Sequence, residues 1–185
     1  KMPRFPFDKF ASASNRLSTQ MKATGEVMSV GRTMEESLLK AIRSLETGKN
    51  HIHMEKFDSA HMTADELLEY IKEGTDDRLY AISQLMWMGV DHSRICNITQ
   101  IDMFFLDKIK NIVDFEKEME ANPMNEKLLP EAKKMGFSDS YIAELWKTDE
   151  DDIYNMRLRL GIFPDYKMID TCASEFASYV PYFYS

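Results

Sequence analysis

The sequence predicts an all-α fold, an array of about eight helices arranged in hairpins and preceded by an extended N-terminal segment. Three observations predict this class. Apolar residues recur with helical spacing over most of the chain after position 33, capping residues precede several of these repeats, and strand patterns are nearly absent there. The connections between the helices are short, as is typical of helical hairpins.

The chain before position 33 has no helical repeat. Residues 2–10 alternate apolar and polar side chains, and Pro3 and Pro6 favour extended backbone, so we expect an edge strand whose sheet partners are missing. Residues 11–20 are rich in Ser and Asn and predict a loop. Gly25 and Gly31 then indicate special backbone geometry.

The first helix is predicted to begin at Thr33, because Thr33 and Glu36 have the spacing of a capping box, and to stop at Gly48. Its apolar stripe consists of Met34, Leu38, Ala41, Ile42 and Leu45. Residues 51–62 have no clear period and predict a connecting loop. A second capping box, Thr63 with Glu66, predicts a helix that ends at Gly74.

Six further helices are predicted. One runs from Asp76 to Gly89, and a short one covers 91–97. The longest is introduced by Thr99 and Asp102 and ends before Pro123. Its apolar stripe consists of Ile101, Phe105, Ile109, Ile112, Phe115 and Met119. The last three are predicted at residues 125–135, 138–147 and 149–160.

Composition narrows the function classes. The 185 residues suit one domain, and 31 Asp and Glu against 23 Lys and Arg give a net charge of −8, which argues against nucleic acid as a partner. No apolar run reaches the roughly 18 residues that a membrane span needs. Only Cys96 and Cys172 are present, and no secretory signal is visible, so we expect a reducing, cytoplasmic compartment.

Four segments carry residues that sometimes do chemistry. His51 and His53 could present two imidazoles to a metal, although structural or solvated histidines are the favoured interpretation. Residues 25–33 could hold an anion before a helix N-terminus, but they do not match the Walker pattern. Cys172 lacks a neighbouring base and is interpreted as a buried thiol. Residues 136–160 have the spacing of a helix-turn-helix, but four carboxylates at 149–152 favour a packed hairpin. The residues alone therefore indicate no catalytic constellation and no metal or cofactor site.

Several segments, in order along the chain, nevertheless match the pattern of a known family. They are Met2-Pro3-Arg4-Phe5, residues 18–22, residues 25–33, residues 97–106, Gly136-Phe137-Ser138-Asp139, and the closing stretch from Tyr166 to Phe176 with Tyr184-Ser185. Together they resemble the large subunit of carbamoyl phosphate synthetase. The resemblance spans nearly the whole chain, and only residues 49–73 depart freely from the pattern.

The resemblance implies a place inside a larger enzyme. In that family the large subunit has two homologous halves, each with an ATP-grasp unit, and the parent enzyme makes carbamoyl phosphate from bicarbonate, glutamine-derived ammonia and ATP, with Mg and K, for pyrimidine and arginine synthesis. Residues 1–47 would be the C-terminal tail of the first, carboxyphosphate unit. Residues 48–185 would be the helical oligomerization domain, running into the second half. The piece itself is then expected to be inactive and cut from a longer chain.

The resemblance also implies partners and a few site residues. Met21 and Glu26 match positions near the internal passage that carries carbamate, although Glu26 could equally cap a helix or bind backbone. The expected partners are the flanking ATP-grasp halves, a small glutaminase subunit and a second copy of the chain. Self-association is expected through the helices between Thr63 and Gly89, where an apolar stripe could face either a partner or the core. That stripe consists of Leu67, Leu68 and Ile71. The alternative is a stand-alone helical protein-interaction module.

Overall fold

The computed structural model describes residues 1–10, 12–170, 175–176, 179 and 182–185, and within them eight α-helices confirm the all-α class. One short 3₁₀ turn, Glu55–Phe57, lies in the loop after the first helix. The helices are α1 Met34–Ser44, α2 Ala64–Tyr70, α3 Arg78–Trp87, α4 His92–Thr99, α5 Met103–Ala121, α6 Leu129–Met135, α7 Asp139–Trp146 and α8 Glu150–Arg159.

Two small antiparallel sheets lie at the ends of the chain. Strand β1, Met2–Arg4, pairs with β2, Gly25–Val27, and strand β3, Lys167–Met168, pairs with β4, Phe183–Tyr184. The N-terminal strand is present, but the expectation that it lacks a partner was wrong. Its partner is the glycine-containing segment of this same chain, which has too few apolar residues to show a strand pattern.

The helix starts follow the capping residues, with two differences. At α2 the capping box is complete, because Thr63 Oγ1 accepts from the Glu66 N–H and the Glu66 carboxylate accepts from the Thr63 N–H. At α1 the Glu36 carboxylate instead accepts from the N–H of Arg32, so only half of the box forms. Helix α3 begins later than predicted, at Arg78.

The late start of α3 has a local cause in Asp77. Its carboxylate accepts hydrogen bonds from Tyr70 and Thr75 and pairs with Lys56. Burial raises the pKa of Asp77, but these hydrogen bonds outweigh burial and hold it below its usual value. The acidic residue before α3 therefore ties three segments together instead of capping the helix.

Helix α5 lies at the centre of the helical array and contacts α1, α3, α4 and α7. Its buried face differs from the predicted stripe: Leu106 is fully buried, whereas Phe105 is 46% exposed. The buried positions 106, 109, 112, 113, 116 and 119 keep helical spacing but include a glutamate, Glu116, which an apolar pattern does not count. On α1, similarly, Leu39 is fully buried while Met34 is 37% exposed.

Helix α1 is docked on the rest of the array by polar contacts. Buried Glu35 accepts a hydrogen bond from Asn111 of α5 at 2.9 Å, and Arg43 donates to the carbonyl oxygen of Gly136 at 2.5 Å. Gly136 has φ +92°, and a Cβ added there would lie 3.1 Å from the Cα of Glu36. The α6–α7 turn therefore needs glycine both for its left-handed backbone and for its closeness to α1.

We predict that Gly136→Ala destabilises the protein more than Gly48→Ala. Gly48 also has positive φ, +76°, but a Cβ there would meet nothing within 4 Å. The control should cost only the backbone penalty of about 1–2 kcal/mol, and Gly136→Ala should add the cost of displacing α1. Urea denaturation measures both, and equal losses would contradict the close approach.

Candidate functional site

The two residues that the resemblance places near an internal passage lie on the surface. Met21 is 87% exposed. Glu26 is an exposed residue of β2 and binds the Lys1 ammonium at 2.5 Å, a hydrogen bond that lowers the pKa of Glu26. The structure brings them to the same N-terminal segment without enclosing either. Their role in a passage stays a prediction.

The apolar stripe of α2 packs inside this chain. Leu67 and Ile71 are fully buried and Leu68 is 4% exposed, all within the main hydrophobic core. A charged residue at any of these positions would disrupt the fold, so it could not report on association alone. Contact with a partner through these residues stays a prediction.

A buried polar cluster joins the loop after α1 to helix α5. The imidazole Nε2 of His53 lies 2.6 Å from Oε2 of Glu116, whose side chain is fully buried. Among the described residues, the other oxygen of Glu116 makes no hydrogen bond of normal geometry. Tyr141 lies nearby, and its pKa is raised first by burial and then by the charge of Glu116. His53 therefore makes a short hydrogen bond to this carboxylate, and a hydrogen bond between Tyr141 and Glu116 also contributes to the raised pKa of Tyr141.

His51 completes the cluster as a neutral ring. It stacks on Tyr141 with ring centroids 4.5 Å apart, and its Nδ1 accepts from the backbone N–H of His53. Burial, helped by the neighbouring His53 and Lys49, lowers the pKa of His51 to about 4. The described residues contain no group of three or more His, Cys, Asp or Glu side chains placed to hold a metal ion. The pair found from the sequence is thus partly buried, with His51 packed on Tyr141 and His53 bonded to Glu116.

Three other segments were candidates for chemistry in the sequence, and the structure describes two of them. At the start of α1, the Arg32 N–H donates to the Glu36 carboxylate and the Glu36 N–H donates to Thr33 Oγ1, so side chains of this chain already bind these two N–H groups. Helices α7 and α8 form the packed hairpin that was favoured, with Ile153 and Met156 buried. Cys172 lies outside the described residues. No described helix has the length and apolar character needed to cross a membrane.

An exposed aromatic pair on α5 is the surface feature that the sequence pattern missed. Phe104 is 54% exposed and Phe105 is 46% exposed, and their rings contact edge to face at a centroid distance of 5.3 Å. They lie beside the buried face of α5, one and two positions before Leu106. Exposed neighbouring aromatic rings of this kind are enriched at protein–protein contacts.

Phe105 of this pair borders a largely apolar cavity of about 740 Å³ between the N-terminal segment and helices α1, α3 and α5. Phe105 and the half-exposed Met34 of α1 both line it. We call Met34, Phe104 and Phe105 the aromatic patch. An apolar surface that continues into a cavity gives a docking partner space for its own side chains. Burying one large apolar side chain contributes about 1.5–3 kcal/mol.

We predict that His53→Ala lowers the free energy of unfolding by about 3 kcal/mol or more, because it leaves the buried Glu116 carboxylate without its partner. His53→Ala combined with Glu116→Leu should recover much of this loss, since no buried charge remains. Chemical denaturation of the two single variants and the double variant measures the coupling. Strictly additive effects would show that the pair does not interact.

The sequence of this chain also matches a known protein family. The family described as carbamoyl-phosphate synthetase large chain, oligomerisation domain, matches residues 26–161. The match begins in β2, covers all eight described helices and ends just after α8. Because it includes well over half of the 185 residues, the chain belongs to the family of the oligomerisation domain of the carbamoyl-phosphate synthetase large chain.

Proposed function

We propose that this chain links two neighbouring units of a carbamoyl-phosphate synthetase large chain and also provides a surface through which large chains self-associate. The family membership supports this general role. The single observation that carries the linking role is the distribution of exposed apolar side chains. The self-association role is supported by the aromatic patch on the helical body.

Most of the strongly exposed large apolar side chains lie in the segments before α1 and after α8. They are Phe10, Met21 and Met28 on the first side and Phe163, Tyr166, Met168, Phe176, Tyr179, Tyr182 and Phe183 on the second. Exposed apolar residues concentrated in this way indicate contacts with other protein. The helical body between them has its own core, so it can hold its shape while both ends dock on neighbours.

The resemblance to the large subunit of carbamoyl phosphate synthetase supports a more detailed proposal. Residues 1–47 are proposed as the tail of the first ATP-grasp unit and residues 48–185 as the helical domain that leads to the second. The parent enzyme would use ATP, with Mg and K, to make carbamoyl phosphate in the cytoplasm, and a small glutaminase subunit would supply ammonia. Met21 and Glu26 are then proposed to line the passage once the upstream unit covers them; their exposure here leaves room for that cover.

Self-association is proposed through the aromatic patch. Phe104 and Phe105 belong to the first turn of α5, which Asp102 caps by accepting the Phe104 N–H at 2.8 Å. This cap and the buried residues that follow position the backbone of the turn that carries the two rings. Rigid aromatic side chains lose little conformational entropy on binding, which makes them effective anchors for a second copy.

We predict that Phe104→Ser combined with Phe105→Ser weakens self-association by about tenfold or more, as expected for the loss of aromatic anchors. Light scattering over a dilution series of the 185-residue chain gives the mass at each concentration. Circular dichroism should show unchanged helicity, since neither ring is part of the buried core.

The matched control is Tyr154→Ser. Tyr154 of α8 is 48% exposed but lies on a different helix, so its loss should leave the dissociation constant unchanged. A wild-type chain that remains a monomer at every concentration would contradict self-association by this domain alone. A double variant that associates like the wild type would show that the interface lies elsewhere on the surface.

A further inference from the structure

A second cavity, of about 980 Å³, lies between α1, the α6–α7 turn and the segment after α8. Eight Lys and Arg side chains line it, against four Asp and Glu. The chain as a whole has the opposite balance, a net charge of −8. Positive charge is therefore concentrated here against the overall trend of the protein.

The four acidic lining residues are each paired with a lysine of the same lining. Glu36 pairs with Lys40 at 2.5 Å and Glu35 with Lys108 at 3.4 Å. The other two pairs, Glu131 with Lys134 and Asp165 with Lys167, are both 3.7 Å long. Four cations remain outside these pairs, and they are Arg32, Arg43, Lys133 and Arg157.

Three of these four cations meet at the α6–α7 turn. Arg43 donates to the Gly136 carbonyl at 2.5 Å, and Lys133 donates to the next carbonyl, that of Phe137, at 2.6 Å. Lys133 and Arg157 share one carboxylate, Asp139, each at 2.8 Å. Within the described residues Arg43 forms no ion pair, so three cations from three helices face a single carboxylate.

This excess of charge is only partly open to water. The side chains of Lys133 and Arg157 are 23% and 15% exposed. Burial lowers the pKa of Arg43 and also that of Lys133. The hydrogen bond that Lys133 donates to Asp139 opposes the lowering for Lys133, whereas the charges of Arg157 and Arg43 add to it. An anion placed among these cations would offset their mutual repulsion and their lost hydration.

We propose that this cavity binds a phosphoryl group, with Arg43 as the main ligand and with Lys133, Arg157 and Arg32 supplying the surrounding charge. Arg43, Lys133 and Arg157 leave an excess of two positive charges after Asp139, which a doubly charged oxyanion balances, and a guanidinium matches the geometry of phosphate oxygens. The volume is suitable for a small molecule. Ile162 and the 64% exposed Phe163 provide an apolar wall for an organic portion of the ligand.

The proposal can be tested by isothermal titration calorimetry of the 185-residue chain with inorganic phosphate and, separately, with phenyl phosphate, at constant ionic strength and neutral pH. Saturable binding with one site per chain is expected for phenyl phosphate or for both ligands. Tighter binding of phenyl phosphate identifies a small organic phosphate as the ligand class. Equal affinity identifies free phosphate.

Arg43→Gln should weaken binding by about tenfold or more, the loss expected for one charge-assisted hydrogen-bond ligand. The control is Arg94→Gln, an exposed residue outside the cavity that lowers the net charge equally and should bind like the wild type. If Arg43→Gln does not fold by circular dichroism, Arg32→Gln decides, since exposed Arg32 lines the cavity without supporting the core.

Two results would overturn the proposal. One is the absence of saturable binding for both phosphate and phenyl phosphate. The other is an equal loss of affinity in the cavity variant and in Arg94→Gln, which would show that binding follows net charge and not this site.

Discussion

Burial of helix α5 is the constraint on which the other elements depend. A 19-residue helix surrounded by others needs partners for the polar groups that it buries, and α5 finds them at three levels, although Oε1 of Glu116 has none of normal geometry among the described residues. Near its middle Asn111 donates to Glu35 of α1, and near its end the Met119 carbonyl accepts from Trp146 of α7 at 2.9 Å. Between them Glu116 is paired with His53. These contacts hold α1, α7 and an irregular loop in fixed positions around one axis.

A body held in this way can carry interaction surfaces that are not themselves part of the core. The aromatic patch continues from the first turn of α5, and the basic cavity is closed where Arg43 of α1 reaches Gly136 in the α6–α7 turn. The described residues before α1 and after α8 form short strands and expose apolar side chains. A linking domain needs a body that keeps its shape and ends that bind the neighbouring units.

The sequence predicted the class, the number of helices in the described residues and most of their bounds, because capping and apolar spacing are local signals. It did not predict the site. His53 and Glu116 are 63 residues apart, and Arg43 and Gly136 are 93 apart, so only the fold brings them together. Phe105 was assigned to the core because it is apolar and lies four residues from both Ile101 and Ile109, but the buried position is Leu106. Successive residues of an α-helix are rotated by about 100° around its axis, which is enough to turn one side chain to the surface and the next to the core.

The central claim, that this chain links neighbouring units, is tested most directly by hydrogen–deuterium exchange of the 185-residue chain alone and within a full-length large chain. The account predicts that amides in residues 1–28 and 163–168 exchange about tenfold or more slowly in the full-length chain, because neighbours cover them, while the buried amides of α5 stay unchanged. Equal exchange in both proteins at these segments would contradict it.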